Sequence, residues 1–184
     1  MPTDKISHGY APVYEHLASR ITQWPTILEV GVGDGSGMDY FRQTFKGAHV
    51  FGIDNRQTEL ADVLHAEQDD PQLAARIQAF AAGRHQELIS LPQPVDPADV
   101  LFDLVVDDAS HNNVLTYYTL INLWPVVRPG GFYVIEDWNH VDSIGMWETL
   151  SPVLLAEMLG QGGGGIFPDQ LTVQSGLIVM GKRR

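Results

Sequence analysis

The chain has 184 residues, enough for one domain with a substantial core and little left for a second. Hydrophobic residues at 44% and charged residues at 18% exclude the polar composition of disorder, and a net charge of -12 opposes a nucleic-acid partner, whose phosphates call for a basic patch. There is no cysteine, so disulfides and thiolate-held zinc are excluded and any metal must be held by carboxylates, histidines and water.

The first residues, MPTDKISHGY, have neither the basic region nor the apolar run of a signal peptide. No apolar stretch approaches the roughly 20 residues of a spanning helix, so a cytoplasmic protein with no membrane partner is expected. Residues 10–21 put Tyr10, Val13, Tyr14, Leu17 and Ile21 on one helical face, and residues 1–24 are read as a leading segment before an α/β core over 25–184. Strands are predicted at 26–30 (TILEV), 49–53 (HVFGI), 101–106 (LFDLVV) and 132–135 (FYVI), with a weaker one at 77–80. Helical spacing is read at 37–45, 60–64 and 114–127, the last stopped by Pro129 and Gly130. This alternation predicts a doubly wound, Rossmann-like, mostly parallel sheet in a single domain. LTVQSGLIVMG reads as two short strands joined at Ser175 and Gly176, a closing antiparallel pair. Loops are expected at 92–97, 139–145 and 162–165, and Lys182, Arg183 and Arg184 as a solvated tail.

The clearest local signal is LEVGVGDGSG, a strand running into Gly31, Gly33, Gly35 and Gly37 before a helix opens. In open parallel sheets ligands bind beyond the carboxyl ends of the strands, and a helix N-terminus there suits a carboxylate or phosphate. A dinucleotide turn would read G-x-G-x-x-G, but Ser36 stands at the final position, which disfavours NAD. Glu29 can accept from an ammonium, which S-adenosylmethionine has and NAD lacks, and Asp54, ending FGID, can take two ribose hydroxyls. The alternative is a turn that only permits tight packing.

Beyond the later strands come Asp107, Asp108, Ala109, Ser110 and His111, then Glu136, Asp137 and Trp138. Converging carboxylates without basic partners repel one another, and a hard divalent cation relieves the repulsion. Asp108, Glu136 and Asp137 are the candidate ligands, with Mg²⁺ and Mn²⁺ not distinguished. His111, on the loop of Asp108, is the candidate base; His8 and His140 are weaker ones. The alternative reading makes Asp107 or Asp108, with Ser110, caps of the following helix and leaves Glu136 and Asp137 in solvent. Trp138, Trp147 and Tyr117 are candidate walls of an acceptor pocket.

With TDK and HGY near the start, then LEVGVG, FGID, VVDDASH and RPGGFYVIED, the chain resembles the metal-dependent sugar O-methyltransferases of macrolide biosynthesis, of mycinamicin type. Cephalosporin hydroxylase-like and rhamnosyl O-methyltransferase proteins are similar. The resemblance covers about residues 3–137. It implies S-adenosylmethionine as cofactor, Asp108, Glu136 and Asp137 as metal ligands and His111 as catalytic base. It also implies cofactor contacts from Glu29, Gly31 and Asp54, with Gly33 and Asp107 in the same set, and a leading segment that covers the cofactor through Lys5, His8 and Tyr10. The acceptor would be a hydroxyl of a small molecule; homo-oligomerisation is left open. Similar proteins carry Gly-Asp-Gln after the third strand, near the adenine, where this reading finds Gly83, Arg84 and His85. No counterpart of the extra N-terminal domain of some relatives is seen, so macrolide specificity is not carried over. The rival readings are a metal-independent methyltransferase, a non-catalytic module of the same fold and an NAD-dependent oxidoreductase.

Overall fold

A computed structural model describes residues 3–89, 95–139, 145–159, 168–174 and 176–184. The seven strands are β1 (Thr26–Val30), β2 (His49–Asp54), β3 (Val63–His65), β4 (Phe102–Asp107), β5 (Val127–Glu136), β6 (Pro168–Gln174) and β7 (Leu177–Lys182). They form one sheet in the order β3-β2-β1-β4-β5-β7-β6. All pairings are parallel up to β5, and β7 then runs antiparallel between β5 and β6. The expected α/β architecture and closing antiparallel pair are therefore present. Ser175 lies outside the described residues, as do 90–94, 140–144 and 160–167, which hold His140 and most of the expected loops; of Trp147 only the backbone is described.

Among the described residues six α-helices accompany the sheet: α1 (Asp4–Ser7), α2 (Ala11–Arg20), α3 (Ser36–Thr44), α4 (Leu73–Ile89), α5 (Asn113–Leu123) and α6 (Met146–Met158). Because strand side chains alternate between faces, Leu28, Val30, Phe51, Ile53 and Val105 pack with Leu73 and Ile77 of α4, Leu120 and Leu123 of α5, and Leu150 and Leu154 of α6. Ile27, Val50, Leu104, Val106 and Val134 face the other way, onto Tyr14 and Leu17 of α2 and Met38 and Phe41 of α3. β1 is buried along its whole length, as a central strand covered on both faces should be.

Two expectations are corrected. Residues 77–80 are not a strand but lie inside α4, where Leu73, Ile77 and Ala81 recur at helical spacing and are fully buried. Residues 60–64 are not a helix: Val63 N–H bonds back to the Leu60 carbonyl, and Val63–His65 is the third strand, paired with β2. A strand of three residues, none of them fully buried, carries too little alternation for its period to be read. Gly83 and Arg84 consequently sit on a helix, and the segment after the third strand is Ala66, Glu67 and Gln68. Among the described residues no helix is long and apolar enough to cross a membrane.

Candidate functional site

Register brings the carboxyl ends of the central strands level, with Val30 beside Ile53 and Asp107, and Asp107 beside Ile135. Every loop that follows opens on that one edge. The chain leaves β1 through Gly31 at φ 87°, where a Cβ would lie 2.2 Å from the Asp108 carbonyl oxygen. Gly31 N–H donates to Ile53 O and Asp108 N–H donates to Val30 O, which stitches the turn to both neighbours. At Gly37 a Cβ would lie 2.1 Å from Glu29 Oε1, so the opening of α3 needs glycine to pass the glutamate. Asp54 fixes the rest of the turn: its Oδ2 accepts from the backbone N–H groups of Val32 at 3.0 Å and Gly33 at 3.1 Å.

Lys5, expected as a cofactor contact, gives Glu29, Asp108 and Glu136 a basic partner that the sequence reading does not assign. Thr3 caps the single turn of α1 and turns Lys5 inward, fully buried. Its ammonium lies 2.9 Å from Asp108 Oδ2, 3.0 Å from Glu136 Oε1 and 3.1 Å from Glu29 Oε1. Burial opposes its charge, but Glu136, Glu29 and Asp108 outweigh burial and hold the ammonium well above the usual lysine range. Tyr14 donates its hydroxyl to the same Glu136 oxygen. Glu136 is thus turned toward Lys5 and Tyr14, while Glu29 Oε2 is buried with no hydrogen-bond partner among the described residues.

Asp108, His111 and Asp137 converge so that one ligand atom from each lies within 4.8 Å of the others. His111 and Asp137 hold positive φ, 52° and 51°, which L side chains seldom adopt and which functional sites tend to retain. Tyr10 donates its hydroxyl to Asp137 Oδ1, and His8 Nδ1 lies 3.5 Å from the same oxygen. Burial first, then the Asp137 hydrogen bond, pushes the Tyr10 phenol up, so it stays a donor. The helix after Asp108 is capped by Asn112, whose side chain accepts from Val114 and Leu115, which leaves Asp108 turned to Lys5.

Glu29, Gly31, Gly33, Lys5, Asp108 and His111 line one cavity of about 220 Å³. A second cavity of about 330 Å³ continues past Gly31 to Asp54, Arg56, Ala66 and Gln68. Asp107 is buried against Gln68, its Oδ1 accepting from Gln68 Nε2 at 3.3 Å and its Oδ2 without a partner among the described residues. Sequence reading missed Gln68, because the third strand was sought too late in the chain, and Arg56, for which an exposed arginine beside an acid gives no signal. It placed Tyr14 on the apolar helical face and, by resemblance, in the segment that covers the cofactor, but did not find its hydrogen bond to Glu136. Of the candidate wall aromatics, Trp138 donates to Gln174 O, and Tyr117 packs partly buried against the core.

Burial pushes the Glu29 carboxyl up to about 7 and those of Glu136 and Asp107 up to about 8, despite the opposing Lys5 charge at the two glutamates. Unfolded, all three ionise near pH 4, so between about pH 4 and pH 8 the folded chain binds more protons than the unfolded one. Their stabilisation is therefore complete below the unfolded values and is lost as pH rises through the folded ones. In metal-free buffer the thermal midpoint is expected to fall from about pH 5 to about pH 8; a flat or rising midpoint would mean these carboxyls ionise normally.

No protein-family model matches the chain. It is 30% identical over 143 residues to 8-demethyl-8-(2-methoxy-alpha-L-rhamnosyl)-tetracenomycin-C 3'-O-methyltransferase of Streptomyces olivaceus, across 71% of this chain and 32% of the relative. It is 29% identical over 143 residues to mycinamicin VI 2''-O-methyltransferase of Micromonospora griseorubida, across 71% and 31%. The MycE methyltransferase of the mycinamycin pathway, solved with Mg, SAH and mycinamycin VI, superposes with a TM-score of 0.71 at 22% identity, covering 95% of this chain and 50% of that one. The chain spans about a third of the length of the curated relatives it matches. It therefore has the Rossmann-like methyltransferase fold and is, over 143 residues, a sequence relative of O-methyltransferases named for rhamnosyl-tetracenomycin and mycinamicin VI.

Proposed function

We propose that the chain is an S-adenosylmethionine-dependent O-methyltransferase, assisted by Mg²⁺ or Mn²⁺, that methylates a hydroxyl of a sugar-bearing small molecule. The observation that carries this reading is that the glycine turn with Glu29 and the Asp108 and His111 side chains line one cavity. The residues suit the cofactor: the buried, unpartnered Oε2 of Glu29 can accept from its ammonium, and no side chain of the turn lies over the Gly33 backbone. They also suit a hard cation, since Asp108 and Asp137 offer carboxylate oxygens within 4.8 Å of each other, with Glu136 behind them on Lys5.

In this reading Asp54 takes the ribose hydroxyls, while Gly31 and Gly33 let the cofactor lie against the backbone. A divalent ion held by the carboxylates would supply positive charge that lowers the pKa of an acceptor hydroxyl. A hard ion prefers oxygen, which leaves the His111 imidazole to accept the hydroxyl proton. Asp137, 3.9 Å from His111 Nε2, stabilises the imidazolium that forms. Much of the acceleration then comes from holding the acceptor in line with the methyl group.

Calorimetric titration with S-adenosylmethionine, with and without Mg²⁺, tests the reading. The parent should bind, and Asp54→Ala should bind at least about tenfold more weakly, since it loses the ribose contacts and the two turn amides together. A parent that binds none would favour a non-catalytic module. The second reading is methyl transfer without metal. It is favoured by Lys5, which already gives Glu29, Asp108 and Glu136 a shared positive charge.

A further inference from the structure

Asp54 is already saturated with donors. Its Oδ1 accepts from Arg56 N–H at 2.8 Å and from Arg56 Nε at 3.2 Å. Its Oδ2 accepts from Val32 N–H, from Gly33 N–H and from Arg56 Nη2 at 3.2 Å. A carboxylate offers about four lone-pair sites, so these five donors leave no acceptor for a ribose. The three backbone donors belong to the turn and remain as long as it is folded. The two that can leave are those of the guanidinium, one on each oxygen.

We propose that Arg56 is a latch on the cofactor site, holding Asp54 with its guanidinium fork until the cis-diol of the cofactor's ribose displaces it. The exchange matches donor for donor: two N–H groups in a fork, one to each carboxylate oxygen, give way to two adjacent O–H groups. Place and exposure agree with this. Arg56 lines both cavities, and its Nη2 stands 3.9 Å from the Cβ position of Gly33, over the turn. Its side chain is 70% exposed while that of Asp54 is 6% exposed, so the arginine swings into water and the acid stays fixed. Burial would raise the Asp54 carboxyl, but the Arg56 contacts and the backbone amides outweigh it, and Asp54 remains an anionic acceptor throughout. The latch rests on the proposed cofactor reading and sets the cofactor's affinity, because part of each binding event is spent on parting an ion pair.

Titration of the purified chain and of Arg56→Ala with S-adenosylhomocysteine and, separately, with adenosine tests it. An exposed ion pair opposes its own rupture only modestly, so the variant is expected to bind both ligands about threefold to fivefold more tightly, by the same factor. The shared factor matters because adenosine carries the ribose without the amino acid. Equal or weaker binding of both ligands by the variant overturns the latch. So does weaker binding of S-adenosylhomocysteine with adenosine unchanged, which would make Arg56 a contact to the amino-acid carboxylate. A parent that binds neither ligand ends the methyltransferase reading itself and the latch with it, whereas a parent that binds both, with no gain in the variant, ends the latch alone.

Discussion

Replacing His111 with alanine is expected to lower methyl transfer by about a hundredfold to ten-thousandfold while S-adenosylhomocysteine binds as it does to the parent. The imidazole lines the cavity of the glycine turn but lies with Asp137 and Asp108, so its loss removes a proton acceptor without touching Asp54 or Glu29. Asp108→Ala should reduce turnover comparably and also abolish Mn²⁺ binding, because it removes one of the two carboxylates that converge there. Initial rates from labelled S-adenosylmethionine onto a panel of hydroxylated glycosides give the first readout, and titration with the metal alone gives the second. Turnover unchanged in both variants would sink the mechanism. Turnover in the parent that persists in chelator, yet is lost in His111→Ala, would keep the base and discard the metal.

Lys5→Met is expected to destabilise the fold by about 3–5 kcal/mol above about pH 8, because there Glu29 and Glu136 ionise and the variant leaves them without their buried cation. Methionine preserves most of the side chain's length, so the loss reports charge rather than volume. Three acids, Glu29, Asp108 and Glu136, share that ammonium, and Glu29 and Glu136 are almost fully buried. The deficit should shrink as pH falls below about 7, where Glu29 and Glu136 are already protonated in the folded chain. Urea denaturation of parent and variant at about pH 6 and about pH 9 measures it; a loss under about 1 kcal/mol at the higher pH would show that Lys5 is not what holds these acids.

What the sequence made legible follows from how each feature is encoded. The buried strands β1, β2, β4 and β5 declare themselves because short runs rich in β-branched and aromatic residues, each ended by a polar or glycine residue, read as strands. The short edge strand β3 does not, since it is set by pairing with β2. Its misplacement put the segment after the third strand at Gly83 and Arg84 instead of Ala66, Glu67 and Gln68. At the site, Gly31, Glu29, Asp54, Asp108 and His111 were visible because glycines and acids at strand ends are local features. Their partners were not. That Lys5 bridges Glu29, Asp108 and Glu136, that Tyr14 donates to Glu136, and that Arg56 covers Asp54 are consequences of chain crossings over long separations or of a rotamer choice, and residue type alone carries neither.

The position of β7 has a bearing on how the chain is made. Among the described strands β6 pairs only with β7, and β7 also pairs with β5, so β7, which follows β6 in the chain, holds the outer end of the sheet in place. During synthesis β6 emerges before its partner exists, and β5 meanwhile presents an open edge of its own. Two unpaired edges thus coexist in the nascent chain, and such edges invite pairing with a neighbouring molecule. Pairing of Leu177–Lys182 with both closes the β5 edge and one edge of β6 in a single step, so the sheet is completed from within rather than extended at its rim.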